Sequence, residues 1–573
     1  MNFRIKFLPP ASALLLCCAA GAQTVPDAGS LLRDEMRRDQ PTGPVMPPKV
    51  EAAVNAPKTP DSGPKTQINA FHFVGLRAIP ESEAQAFMAP FAGQAHSLEG
   101  LHQIADQFEQ WLRARGLFAA RAYVPPQDIK DGDVEIRVLE GHVEGIDIKR
   151  SPDTRLGEET LRNTVGSALP VGGSLEQSRL ERGVLLLNDL PATSARAVLV
   201  PGKEQGGSRV VVEAAQGPIP SGSVEIDNTG NRFTGDWRLG AGVTLNDPLG
   251  FGDQWSLRAS KSQGSEFVRG AYTLPLGSSG LKAGVSLIQS SYTLCCDSAV
   301  SALNSNGEAT ALSGFMTYPL IRTRTSNLAL STNLTHRDFV NRSLNATTSD
   351  KESKTLTLGA NGDWSDAAGL TGQGAFSSYS LQWTSGRLNL DGWAADKTQD
   401  TATAKSHGNF DKWNAQLSHL LRLSGSSALY AAVSAQWAGK NLDSSEKFAL
   451  GGPQGIRAYP AGEATGDEGW LLNLEWRNEL NKDWRMVAFV DYGEVRLHRT
   501  TWANWNSTNT HLNNRYALSG VGATAAWTPT ANSQFSATLA TRIGENPARD
   551  ATGRDSDSRP ARPQLWLHGS MAF

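Results

Sequence analysis

From Ser221 to Phe573 the apolar residues of this chain recur at every second position, a period that leaves the strand as the only repeating element. Trp255, Leu257 and Ala259 alternate with Ser256, Arg258 and Ser260, and Tyr379, Leu381 and Trp383 with Ser380, Gln382 and Thr384. Leu429, Ala431, Val433, Ala435 and Trp437 share one face, and Leu472, Leu474 and Trp476 alternate with Asn473, Glu475 and Arg477. Turn clusters such as LNDPLGFGD and LGSSG separate the runs. A soluble sandwich alternates too, so period alone does not decide between water and lipid.

Three features favour lipid. The second face of each run is rich in Ser, Thr, Gln and Asn, as a water-filled lumen requires. The roughly 350 residues involved, at about 22 per strand and loop, give about 16 antiparallel strands, an even number suited to closure. The chain ends QLWLHGSMAF, with Leu565, Leu567, Met571 and the terminal Phe573 in one phase. A terminal aromatic on an alternating last strand resembles the signal by which outer-membrane barrels are recognised for assembly. In lipid every backbone polar group must be paired internally, and only helices and closed barrels achieve that. A mean hydropathy of −0.34 is compatible with a barrel, whose two faces average out.

The amino terminus carries Arg4 and Lys6, an apolar run from Ala11 to Ala20, and Ala20-Gly21-Ala22 as a cleavage site, so residues 1–22 read as a secretory signal peptide. Lipidation fits poorly, because Leu16 precedes Cys17 and Cys17 precedes Cys18 where a small residue is needed. Beyond it no apolar stretch reaches the roughly 20 residues of a spanning helix. The remaining cysteines, Cys295 and Cys296, are adjacent. Their α-carbons, about 3.8 Å apart, fall below the usual disulfide spacing, so a vicinal bridge is possible only under strain and no disulfide framework is expected.

Residues 23–66 divide into AGSLLRDEMRRDQ, with Asp27 as N-cap and Leu31, Leu32, Glu35 and Met36 at helical spacing, and a Pro- and Ala-rich linker. Taken alone, the segment reads most simply as a disordered tail. Residues 67–217 hold a repeat of about 75 residues in the order β-α-α-β-β, giving two small α+β modules at 67–143 and 144–217 ahead of a barrel at 218–573. The helix SLEGLHQIADQFEQWLRARG in the first copy puts Leu101, Ile104, Phe108 and Leu112 on one stripe, and Gly116 ends it.

A net charge of −3 gives nucleic acid no attraction. No Walker A, H-E-x-x-H or G-x-S-x-G run occurs, and the histidines show no ligand spacing, so no cofactor, metal or enzymatic activity is expected. Gly520-Val521-Gly522-Ala523-Thr524-Ala525 imitates a dinucleotide fingerprint but sits in an alternating run with no helix behind it, and reads as a strand of small residues.

In order and spacing, the chain resembles the TpsB family of two-partner secretion transporters over nearly its whole mature length. VEIDNTGNRFTGDWRLGAGVTLNDPLGFGDQW looks like the family's first barrel hairpin, LGGPQGIRAYPAGE like its long lumen loop, and FVDYGEV, from Phe489, like the F-x-D-x-G strand motif that the loop contacts. The resemblance implies an amino-terminal plug helix, a linker, two POTRA modules and a 16-stranded barrel. It also implies an outer-membrane location with the modules in the periplasm, and export of a secreted exoprotein of adhesin, cytolysin or haem-acquisition type, powered by the client's folding outside. Outer-membrane lipid and the barrel-assembly machinery are further expected partners. A barrel-assembly insertase and a passive porin or nutrient receptor remain the alternatives. The former usually carries more modules; a porin lacks residues 67–217.

The candidate site is the loop motif Gly455, Ile456, Arg457, Ala458 and Tyr459, facing the wall residues Phe489, Asp491, Gly493 and Glu475, with Phe573 as assembly signal. Strand phase turns Ala488, Val490 and Tyr492 outward and aims Phe489, Asp491 and Gly493 at the lumen, where Arg457 can meet Asp491, with Glu475 a second candidate. The family loop has glycine where this chain has Ala458. Alanine lacks glycine's freedom at positive φ, so a differently bent tip is expected here.

Overall fold

The computed structural model describes residues 26–38, 64–507 and 509–573. The signal-peptide and linker readings lie outside the described residues. Helix α1 (Ala28–Arg38) comes first, and Asp27 caps it by accepting from the Ser30 N–H at 2.8 Å.

The first module contains β1 (Lys65–Ile68), β2 (Ala70–Val74), α2 (Glu81–Met88), β3 (Gln94–Ser97), α3 (Leu98–Ala114), β4 (Arg121–Tyr123) and β5 (Asp133–Leu139). Ser97 caps α3 through the Gly100 N–H, Gly116 closes it at φ +93°, and the apolar stripe packs on Phe71, Val134 and Ile136. The expected single first strand is broken at Asn69, whose N–H bonds to Gly132 O. As a result β1 pairs with β3, and β2 runs parallel to β5. The second module follows as β6 (His142–Arg150), α4 (Glu158–Ala168), α5 (Gln177–Asn188), β7 (Thr193–Pro201) and β8 (Gly207–Gln216), with sheet order β6-β8-β7.

The wall opens with β9 (Pro220–Asp227), β10 (Arg238–Asn246), β11 (Gln254–Lys261), β12 (Ser265–Pro275) and β13 (Lys282–Thr293). After the short α6 (Ser298–Ser301) come the long strands β14 (Asn306–Arg322), β15 (Ser326–Ser343), β16 (Ala346–Asp366) and β17 (Ala375–Asn389). Beyond α7 (Ala394–Ala402), β18 (Gly408–Arg422) and β19 (Ser427–Ala438) lead into a long loop with its own ladder, β20 (Phe448–Ala449) on β21 (Thr465–Gly466). The wall ends with β22 (Glu468–Glu479), β23 (Trp484–Arg496), β24 (Arg515–Thr530), β25 (Ser533–Arg542) and β26 (Gln564–Ala572).

Sixteen of these strands close a barrel, with β26 hydrogen-bonded to β9. The pseudo-fingerprint at 520–525 lies within β24, with no helix after it. Leu239, Leu257, Leu287, Leu334, Leu474 and Leu565 turn outward and remain exposed on the barrel's exterior. That surface is stable only in lipid. No helix among the described residues is long and apolar enough to cross a membrane. Connections at the module end are short, and most of those at the other end are longer, the usual asymmetry of such barrels.

The second module is fastened to the short-turn end. Arg322 pairs with Asp189 at 2.7 Å, Lys282 donates to Asp189 O, Arg155 reaches Asp247 O and Asn246 O, and Arg182 donates to Pro319 O.

Candidate functional site

Two pieces of the chain fill the lumen. The first is α1, so the disordered-tail reading fails for residues 26–38. Its stripe of Ala28, Leu31 and Leu32 is buried against Phe233, Phe267, Ile288 and Phe339 of the wall and its outer loops, an apolar burial that a free tail cannot make. Its polar face is held by charge. Glu35 accepts twice from Arg238 at 2.8 Å, and Arg238 also grips Asp227. Arg37 donates to Ala449 O and Gln454 O at 2.7 and 2.8 Å, and Arg33 to Ser444 O. These three acceptors belong to the long loop after β19, so the helix and that loop form one packed unit.

The second piece is that loop. Phe489, Asp491 and Gly493 are buried on β23, whereas Ala488, Val490 and Tyr492 face out, the phase expected from alternation. Arg457 meets the carboxylate of Asp491 through Nε and Nη2 at 2.9 and 2.7 Å, and its backbone N–H bonds to the same group at 3.0 Å. Nη1 donates to Glu475 at 2.7 Å, and the guanidinium lies over the Phe489 ring, 3.4 Å from its centroid. Asp491 is fully buried, so this forked geometry is what makes its charge tolerable there.

Gly493 leaves room for the loop, since a Cβ on it would lie 2.6 Å from Leu450 Cδ2. A Cβ on Gly520 would lie 2.5 Å from the Ala458 Cβ, and one on Gly522 would meet Phe489. The small residues of β24 are the floor on which the loop tip rests. The structure therefore brings together Gly455, Ile456, Arg457, Ala458 and Tyr459 with Phe489, Asp491, Gly493 and Glu475. Phe573 lies apart at the module end, exchanging backbone bonds of 2.9 Å with Gly222.

Ala458 is absent from the positive-φ residues, so its backbone does not call on glycine's freedom and alanine carries no conformational penalty there.

Several contributors lay outside the sequence reading. Asn473 donates to both Asp491 and Gly455 O, and its lumen phase beside Leu472 and Leu474 was available as a signal. Trp566 Nε1 donates to Arg457 O at 2.8 Å, and Arg477 pairs with Glu475. Tyr459 is fully buried. Glu463, at the loop's far end, accepts from Asn546 and the Ser556 N–H, and burial pushes its carboxyl above the ordinary range.

A closed barrel with a helix and a long loop packed in its lumen, and two α+β modules fastened at one end, is the architecture of an outer-membrane protein transporter. Residues 206–520 match the family model described as haemolysin secretion/activation protein ShlB/FhaC/HecB, and residues 66–141 match the POTRA domain, ShlB-type. The first match covers more than half of the chain, and the chain belongs to that haemolysin secretion/activation family. It is 27% identical to the heme/hemopexin transporter protein HuxB of Haemophilus influenzae (strain 86-028NP), over 95% of this chain and 97% of that protein. It is 26% identical to the outer membrane transporter CdiB of Dickeya dadantii, over 78% and 80%. CdiB from Escherichia coli has the same fold, with a TM-score of 0.72 at 21% identity and 95% of both chains covered. The protein is thus a two-partner secretion transporter of the bacterial outer membrane, with its POTRA modules in the periplasm, and it secretes a partner exoprotein.

Proposed function

We propose that α1 is a resting stopper, that Arg457 with Asp491 and Glu475 holds the lumen loop in its transport-competent position, and that the client enters along the POTRA strand edges. The observation that carries this reading is the fastening of both pieces by ion pairs and side-chain-to-carbonyl bonds in a wet lumen, contacts that can be exchanged without unfolding the wall. A passive porin has no use for such a stopper. β7 is the outer strand of its three-stranded sheet, and its free edge can add a strand of unfolded client through main-chain bonds that read no particular sequence.

The division into modules at 67–143 and 144–217 and a barrel from 218 is part of this proposal. So are an exoprotein of adhesin, cytolysin or haem-acquisition type, a shell of outer-membrane lipid, recognition of Phe573 by the assembly machinery, and transport without a catalytic step of the chain's own. Loss of the chain should remove one large exoprotein from the culture medium and leave it in the periplasm. Deleting residues 67–143 should do the same while the barrel still assembles. Normal secretion by that deletion would reject client docking on the first module.

A further inference from the structure

Cys295 and Cys296 are joined to each other, in the loop that leads from β13 to β14 at the outer end. Both of their backbone N–H groups converge on one acceptor, Phe233 O, at 3.1 and 3.3 Å. Phe233 is buried on Leu31 and Leu32 of α1, together with Leu294 and Val300 from the cysteines' own loop. Arg232 pairs with Asp297 at 2.7 Å and ties the same two loops a second time. The pair is thus the fastening of a lid over the first turns of α1. A bridge between neighbouring residues closes an eight-membered ring around their peptide bond, and opening that ring returns rotational freedom to the segment whose two N–H groups hold Phe233. Both cysteines are partly exposed, within reach of small molecules from outside.

We propose that Cys295–Cys296 is a thiol–disulfide exchange site whose substrates are small thiols, and that its redox state sets how firmly the lid holds α1. A small-molecule thiolate attacks one cysteine sulfur, the S–S bond breaks, and the other cysteine leaves as a thiolate that takes up a proton. A second thiol displaces the mixed disulfide. The protein ends with two thiols and the small molecule as its own disulfide, two electrons having moved inward. The inference rests on the reading of α1 as a resting stopper.

The test uses the full chain in lipid nanodiscs, with hydrogen exchange followed in α1, in residues 228–237 and in residues 450–460. Dithiothreitol should speed exchange in α1 and in 228–237 by about five- to thirtyfold, the gain from freeing one residue's backbone, and leave 450–460 unchanged. Reoxidation should restore protection. The double variant Cys295→Ser/Cys296→Ser should exchange at the fast rate with or without reductant. A protected α1 that ignores reduction, or a double-serine variant as protected as the oxidised chain, overturns the redox site and leaves the stopper standing. Two alkylatable thiols before any reductant also overturn it. An α1 unprotected from the start removes both readings.

Discussion

Replacing Arg457 with alanine removes four things at once: two bonds to Asp491, one to Glu475, and the cation over Phe489. Asp491 keeps the Asn473 amide and the residue-457 N–H, and Glu475 keeps Arg477, so neither carboxylate is left bare. Stranding a buried partner typically costs about 3–5 kcal/mol. The surviving donors, and the 12% of the Arg457 side chain that meets water, place the expected cost near the lower end, about 3 kcal/mol or roughly a hundredfold in the docked fraction. Hydrogen exchange of residues 450–460 in the assembled protein should rise by that factor while β14–β17 stay protected, and exoprotein secretion should fall in parallel. Arg457→Lys should recover only part of the loss, because a point charge cannot reproduce the fork. The exchanged pair Arg457→Asp/Asp491→Arg should regain secretion beyond either single change. Loop exchange within twofold of the parent in Arg457→Ala, or an exchanged pair no better than its worse single member, would refute the pairing as the restraint.

Gly520→Ala should push the tip off its floor at a cost of about 1–3 kcal/mol, read as faster exchange at 455–459, and adding Ala458→Gly should restore docking; if it does not, the close approach is not what holds the tip. Tyr459→Phe should be neutral or up to about 2 kcal/mol stabilising in thermal unfolding, because the buried hydroxyl has no hydrogen-bond partner among the described residues. A loss above 1 kcal/mol would contradict that. Burial, reinforced by Lys447, pulls the His498 imidazole down to about 3, where it packs on Trp502 and Trp505. The folded loop favours neutral imidazole, so its protection should be complete above pH 6.5 and fall as pH drops towards 3. Exchange of 497–507 at pH 4.5 should exceed that at pH 7.5 by up to about a hundredfold after correction for intrinsic rates; equal protection would place the ring in water.

The wall was legible because lipid outside and water inside impose a strict two-residue period, and that phase placed Asp491 inside and Val490 outside from sequence alone. The Arg457–Asp491 meeting followed from chemistry once the loop motif was recognised. The docking of α1 was legible only through the family resemblance, since amphipathy tells that Leu31 and Leu32 want cover but not that Phe233 and Phe339 supply it from far along the chain. Gly520 and Gly522 looked like mere small residues because their purpose is the space they leave for Ala458 and Phe489. The break at Asn69 escaped notice because a backbone bond to Gly132 O, not a side-chain pattern, decides it.

A hoop under outward load parts at its shortest weld. Among the sixteen joints of this wall, the one between β26 and β9 has a ladder of five residue pairs, His568 to Ala572 against Asp227 to Ser223, extended by the Phe573–Gly222 and Asn228–Leu567 backbone bonds, whereas β15 and β16 have eighteen. A cargo wider than the bore therefore strains the first and last staves before any other pair. Asp227, which faces His568 at that joint, holds Arg238 of β10 and through it Glu35 of the helix, so strain there is passed to the helix.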